Sequence, residues 1–198
     1  MYTPSAFEES RPEVLRSLIE QHRLGAIVTH GAEGLVANHV PFVLAPPCDG
    51  GPHGVLQAHV ARANALWRCG GEAMVLFQGA SAYVSPSLYE EKPLTGKVVP
   101  TWNYAVVHAH GTLRAIEDPA WLMALLARMT DTLEGERALP WAMHEAPRDF
   151  LDKLMDAIVG IQIPIARIQG KWKMSQNRSV GDQRRVAADT GLPMQIRA

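Results

Sequence analysis

The chain has 198 residues, 47% of them hydrophobic and 20% charged, which is enough to bury a self-sufficient core within one domain. Nineteen Lys and Arg against twenty Asp and Glu give a formal charge of -1, so the global basic footprint of most nucleic-acid-binding proteins is missing and any DNA contact must be local. Cys48 and Cys69 lie without CxxC spacing, which argues against a disulfide framework or a zinc knuckle. The longest unbroken apolar run, Ala120 to Ala127, is too short to span a bilayer, and no basic segment precedes an apolar one at the N-terminus. A soluble, cytoplasmic protein with no membrane partner is expected.

Ser10-Arg-Pro-Glu13 reads as a capping box, with Val14, Leu15, Leu18 and Ile19 recurring at helical spacing in a first helix from about Arg11 to His22. Gly25 to His30 and Leu35 to Leu44 flank the glycine-rich turn Gly31-Ala-Glu-Gly34, an antiparallel hairpin whose second strand must have an edge or bulge at Pro41. The Pro- and Gly-rich stretch from Ala45 to Gly54 is a loop, because strand patterns resume at once with Val55 to Val60. Ala73 to Gln78 and Val106 to Ile116 add two strands. Asp118-Pro119 is an N-cap followed by Pro at N1, opening a helix that runs to about Leu133 with Trp121, Leu122, Leu125, Leu126 and Met129 along one side. Pro147 opens another, with Phe150, Leu151, Leu154, Met155 and Ile158 spaced for burial, before a final strand from Ile161 to Met174. From Gln176 the composition turns polar, and residues 179-198 read as a polar tail or surface helix. Tight turns between strands, with two helices before the last one, give an α+β, mostly β class: a small antiparallel barrel with peripheral helices.

Two stretches hold side chains that a plain core strand would not choose. In Val99-Pro-Thr-Trp-Asn-Tyr-Ala-Val-Val-His-Ala-His-Gly111, the polar Thr101, Asn103, His108 and His110 interrupt an apolar strand, and buried polar groups are costly without partners. In Gly170-Lys-Trp-Lys-Met-Ser-Gln-Asn-Arg178, strand alternation sets Lys171, Lys173 and Ser175 on one face and Trp172, Met174 and Gln176 on the other. Two cations and a hydroxyl beside an indole suit an anion with a flat ring. A third stretch, His59-Val-Ala-Arg-Ala-Asn64, leaves a strand for a short helical turn, where backbone amides together with His59, Arg62 and Asn64 could surround a phosphate. The plainer reading is a surface Arg with an Asn capping the turn.

With Met1-Tyr-Thr-Pro-Ser-Ala-Phe7 and Ala82-Tyr-Val-Ser-Pro-Ser-Leu-Tyr89, these motifs resemble the PaiB family of FMN-binding negative transcriptional regulators on the split-barrel flavin-binding fold. The resemblance runs in order from residue 1 to about Arg178, so it implies an FMN-binding split-barrel domain over 1-178. Family members usually carry Gly where Gln57 stands, Pro where Ala65 stands and Trp where Leu88 stands, which alters the expected pocket wall. The resemblance implies that the junction with His59, Arg62 and Asn64 holds the FMN phosphate. It implies that Trp102, Asn103, Lys171, Lys173, Ser175 and Gln176 face the flavin ring, and that the site lies between the two subunits of a homodimer.

His108 and His110 fall on one strand face, with His39 as a further imidazole, but no third ligand stands at a diagnostic spacing, so hydrogen-bonded barrel histidines are expected and no metal. Ser85 and Ser87 lack a GxSxG elbow, and neither a P-loop nor a basic reading helix appears. No catalytic residue stands out. Two functions are carried forward: an FMN-binding regulator of the PaiB type, with DNA as a partner, and a flavin-dependent oxidoreductase using FMN and a nicotinamide or other electron donor. In the second the flavin supplies the chemistry, so no catalytic acid or base is demanded. Haem held by His108 or His110 is a weaker third.

Overall fold

The computed structural model describes residues 1-31 and 34-193. Its strands are β1 (Glu8–Glu9), β2 (Leu24–Gly31), β3 (Gly34–Pro41), β4 (Val43–Ala45), β5 (Val55–Ala61), β6 (Gly71–Val84), β7 (Thr101–Ile116) and β8 (Ile158–Lys173). Helices are α1 (Pro12–Gln21), α2 (Leu66–Cys69), α3 (Glu91–Thr95), α4 (Pro119–Glu134), α5 (Arg148–Asp156) and α6 (Val180–Thr190). The strand order is β3-β2-β6-β7-β8-β5-β4, with β1 also paired to β8, and the β1–β8, β2–β3, β2–β6, β4–β5 and β5–β8 pairings are antiparallel. The chain divides into two units. One comprises Met1–His22, Phe77–His108 and the described residues from Gln169 on; the other comprises Arg23–Leu76 and Ala109–Ile168.

In the second unit, β2 and β3 form the expected hairpin, Gly31 lying opposite Gly34, while the intervening Ala32 and Glu33 lie outside the described residues. Pro41 ends β3, as its missing N–H requires, and after Phe42 the chain resumes as β4, which pairs with β5. Ile27, Leu56, Val75, Ile161, Ile163 and Ile165 are fully buried here. Asp118 caps α4 by accepting from the Ala120 amide at 2.9 Å, with Pro119 at N1, as the dipeptide foretells. Leu125 and Met129 of this helix pack on Val43, with Trp121 against the same cluster. A Cβ on Gly160 would overlap the Trp121 indole, so that glycine is what lets the ring lie on β8. Helix α5 departs from expectation: its spacing is amphipathic, yet Phe150 and Leu154 are about half exposed and none of its residues is buried.

In the first unit, Leu15, Leu18 and Ile19 bury one side of α1. The capping box does not form. Pro12 takes the first helical position, so Arg11 becomes the N-cap and Ser10 falls one residue outside; instead the Glu9 carboxylate accepts from the Arg11 amide at 3.0 Å and pairs with its guanidinium. Those bonds hold the Glu9 carboxyl below the usual carboxylate range. β7 begins at Thr101, five residues before the apolar pattern suggests, and β6 runs on to Val84 through Gln78, Gly79 and Ser81. Helix α6 stands on the polar stretch near the C-terminus: Ser179 caps it by accepting from the Asp182 amide, Val186 is buried with Val84 and Tyr89, and Asp182 accepts from the Glu90 amide at 2.8 Å. Residues 194-198 lie outside the described part.

Candidate functional site

The start of β7 and the end of β8 assemble the first group of side chains. Lys171 is 8% exposed, and its Nζ donates to the Tyr2 carbonyl at 3.1 Å. The same ammonium lies 5.2 Å from the Tyr104 ring centroid and 5.7 Å from that of Tyr2, distances at which the ring quadrupoles attract it. Lys173 donates to Thr101 Oγ1 and, at 2.8 Å, to the Trp102 carbonyl. Burial, reinforced by the neighbouring Lys171 charge and opposed by Tyr104, pushes its pKa below the ordinary lysine value.

Among the described residues no carboxylate lies within ion-pair distance of either ammonium. Lysine carries three donors, of which Lys171 uses one and Lys173 two on the protein. A buried and a partly buried cation, both without a carboxylate and with unused donors, are what an anionic ligand would meet.

Asn103 and Ser175 support this arrangement. Asn103, 1% exposed, donates through Nδ2 to Ser175 Oγ at 2.9 Å. Ser175 holds φ at +60°, the left-handed region that a non-glycine residue enters only when its surroundings require it. The turn reverses the chain after Lys173 and returns the Ser175 hydroxyl to β7. Trp102 is 56% exposed, with its indole edge-on to Tyr83 at 6.2 Å between centroids, which leaves an open aromatic face. Gln176 does not join the lysines. Its Oε1 accepts from the Met174 amide at 2.7 Å and its Nε2 donates to the Trp172 carbonyl, and it lines a separate groove of about 480 Å³ with Trp172, Met174, Glu8 and Glu9.

In the second unit, His59, Arg62 and Asn64 sit at the end of β5 and in the turn before α2, and their side chains go to different places. Asn64 accepts from the Leu66 amide and donates to Asn38 Oδ1, both at 2.9 Å, the capping work of the plainer reading. Arg62 is committed to protein: Nε to the Asp156 carbonyl at 2.9 Å, Nη2 to the Ile158 carbonyl at 3.1 Å and Nη1 to Glu117 at 2.6 Å. It ties the β5 turn to the end of α5 and the start of β8. His59 Nδ1 is buried without a hydrogen-bond partner among the described residues, and burial lowers the imidazole pKa. The turn amides are already engaged, that of Arg62 with the Ala157 carbonyl and that of Asn64 with the Ala61 carbonyl, both at 2.8 Å, so the His59 nitrogen is the group here that a ligand would satisfy.

His110 lies elsewhere in this unit. It lines a groove of about 450 Å³ with Thr29, Glu72 and Arg167, and its pKa is lowered first by burial and then by Arg167. Among the described residues no group of three or more His, Cys, Asp or Glu stands ready for a metal. Tyr2 is the contributor that residue-by-residue reading missed. Its carbonyl meets Lys171 across 169 positions of sequence, and the only signal was its place in the N-terminal Met-Tyr-Thr-Pro motif.

Residues 1-167 match the family model described as "Putative FMN-binding domain". The chain belongs to this FMN-binding family. An uncharacterised protein of Emericella nidulans is 34% identical over 219 residues, covering 92% of this chain and 87% of the relative. Protease synthase and sporulation protein PAI 2 of Bacillus subtilis is 30% identical over 190 residues, covering 94% and 87%. This PaiB homologue confirms the family read from the motifs.

Among solved structures, the flavocytochrome Anf3 from Azotobacter vinelandii aligns with a TM-score of 0.58 at 16% identity, over 84% of this chain and 69% of its own. A FAD and heme binding protein from Mycobacterium smegmatis aligns with 0.57 at 19% identity, over 84% and 73%. These likenesses establish the split β-barrel fold. FMN is the cofactor of this FMN-binding domain, and the two lysines without a carboxylate partner among the described residues, beside the open Trp102 face, fit an anionic, aromatic group of that kind.

Proposed function

We propose that this chain is an FMN-binding regulator of the PaiB type, a cytoplasmic homodimer that represses transcription with FMN as its bound effector. The observation that carries the flavin part is the Lys171 and Lys173 pair: two ammonium groups beside Tyr104 and Trp102 without a carboxylate partner among the described residues. Lys171 and Lys173 would meet the polar edge of the flavin and Trp102 would cover its face, with Asn103 and Ser175 holding the turn. In the other unit, the unpartnered His59 nitrogen is a separate candidate for a phosphate contact.

The FMN domain would span 1-178, with 179-198 as an appendage centred on α6. The regulatory part rests on the relationship to the Bacillus subtilis protein, whose name speaks of protease synthesis and sporulation. No helix of the described residues is long and apolar enough to cross a membrane, in keeping with a cytoplasmic role.

A second reading, a flavin-dependent oxidoreductase, is favoured by the same lysine pair, because uncompensated positive charge beside a flavin suits electron acceptance. The test is a promoter-fragment shift over a salt series, run beside steady-state NADH and NADPH oxidation. A regulator shifts DNA at low salt and loses it steeply as salt rises, since each phosphate neutralised releases counterions. Rapid nicotinamide oxidation with no shift at any salt promotes the oxidoreductase.

A further inference from the structure

The lysine pair has a consequence beyond holding a ligand. In most folded proteins a lysine this buried finds a carboxylate, because an isolated charge taken from water is costly. Lys171 and Lys173 find carbonyls, a hydroxyl and aromatic faces instead, all of them neutral. Glu8, the backbone register partner of Lys171 on β1, makes no ion pair with it. The two like charges also disfavour each other, as the Lys171 contribution to the lowered Lys173 pKa records. Whatever enters here is held in proportion to the negative charge it carries.

Oxidised flavin has a neutral ring. Reduction by two electrons with uptake of one proton at N5 leaves the ring with one negative charge, provided N1 stays unprotonated. Resting on the flavin reading above, we propose that Lys171 and Lys173 bind the reduced, anionic cofactor more tightly than the oxidised one, so that this protein raises the potential of its FMN and poises it as an electron acceptor. By linkage, a ligand bound tenfold more tightly in one of two states shifts the balance between them tenfold, which for a two-electron couple is about 30 mV. Asn103 and Ser175 act as positioning residues in this account, fixing the turn that follows Lys173.

The experiment is a spectroscopic titration of the FMN-loaded protein with dithionite, the two-electron donor, against a reference dye. Wild type, Lys173→Met, Lys171→Met and the charge-conserving Lys173→Arg are compared, with oxidised FMN affinity measured separately. The expected result is a wild-type potential at least 30 mV above free FMN, a fall toward the free value by tenfold or more in the equilibrium for each Met variant, and retention in Lys173→Arg. A potential equal to that of free FMN overturns the proposal. So do Met variants that keep the wild-type potential while oxidised FMN binds more weakly, because the lysines would then serve the phosphate or a neutral edge. If a Met variant fails to fold by circular dichroism, Lys173→Gln replaces it and the wild-type potential still decides. Wild type that binds no FMN would sink the flavin reading itself, a different failure from an unshifted potential.

Discussion

Arg62 offers the sharpest quantitative test, because the structure gives its guanidinium three protein partners. Arg62→Ala removes charge-assisted bonds to the Asp156 and Ile158 carbonyls and the ion pair with Glu117. The ion pair is between side chains 40% and 56% exposed, so it contributes no more than about 1 kcal/mol. The Asp156 carbonyl can turn to water, whereas the bond to Ile158 is partly buried, so the two carbonyl contacts together contribute about 2 kcal/mol. A total loss of about 2 to 3 kcal/mol is expected, a fall of roughly 5 to 10 °C in Tm for a chain of this size. Urea denaturation of the FMN-free protein measures it. Arg62→Lys should recover under half, since lysine lacks the fork that reaches both carbonyls. Glu117→Gln separates clamp from ligand: if Arg62 can also turn to the FMN phosphate, removing its competitor tightens FMN, and if it is a clamp alone, affinity stays at the wild-type value. Stability of Arg62→Ala within about 0.5 kcal/mol of wild type, the range of ordinary surface changes, would refute the clamp.

Three further outcomes are expected. His59 has a lowered folded pKa, so below its unfolded value of about 6.5 the unfolded chain binds the extra proton and stability falls as pH drops; His59→Gln should flatten the slope below pH 6.5 by up to about 1.4 kcal/mol per pH unit, and parallel slopes would show that the imidazole is not buried. Gly160→Ala forces a methyl into the Trp121 ring and should cost about 1 to 3 kcal/mol, read by denaturation together with a Trp fluorescence change; a neutral result would mean the ring moves freely. Asn103→Ala leaves the buried Ser175 hydroxyl without its donor and should cost about 1 to 3 kcal/mol while loosening FMN, and unchanged affinity would remove Asn103 from the site's support.

Much of the fold was legible because local chemistry and tertiary structure agree. Asp118-Pro119, Pro41 and the alternation of Lys171 and Lys173 each act through their own backbone, so the α4 cap, the break after β3 and the shared lysine face could be read directly. What escaped reading depended on distant partners. Asn103 read as a polar interruption ahead of the apolar strand, yet Ser175, 72 residues on, satisfies it within β7, which starts at Thr101. Arg62 looked like a free phosphate ligand because Glu117, 55 residues away, carries no local signal of pairing with it. Phe150 and Leu154 have core spacing on a helix whose outer side nothing among the described residues covers.

The central claim is that the lysine and aromatic cluster at the ends of β7 and β8 binds FMN. The most direct measurement is a fluorescence titration of FMN-depleted protein with FMN, for wild type and for the Lys171→Met, Lys173→Met double variant, with circular dichroism confirming the fold. Saturable binding near one FMN per chain, weakened at least tenfold in the folded double variant, is the predicted result. Undiminished affinity in that variant would place the cofactor elsewhere and contradict the account.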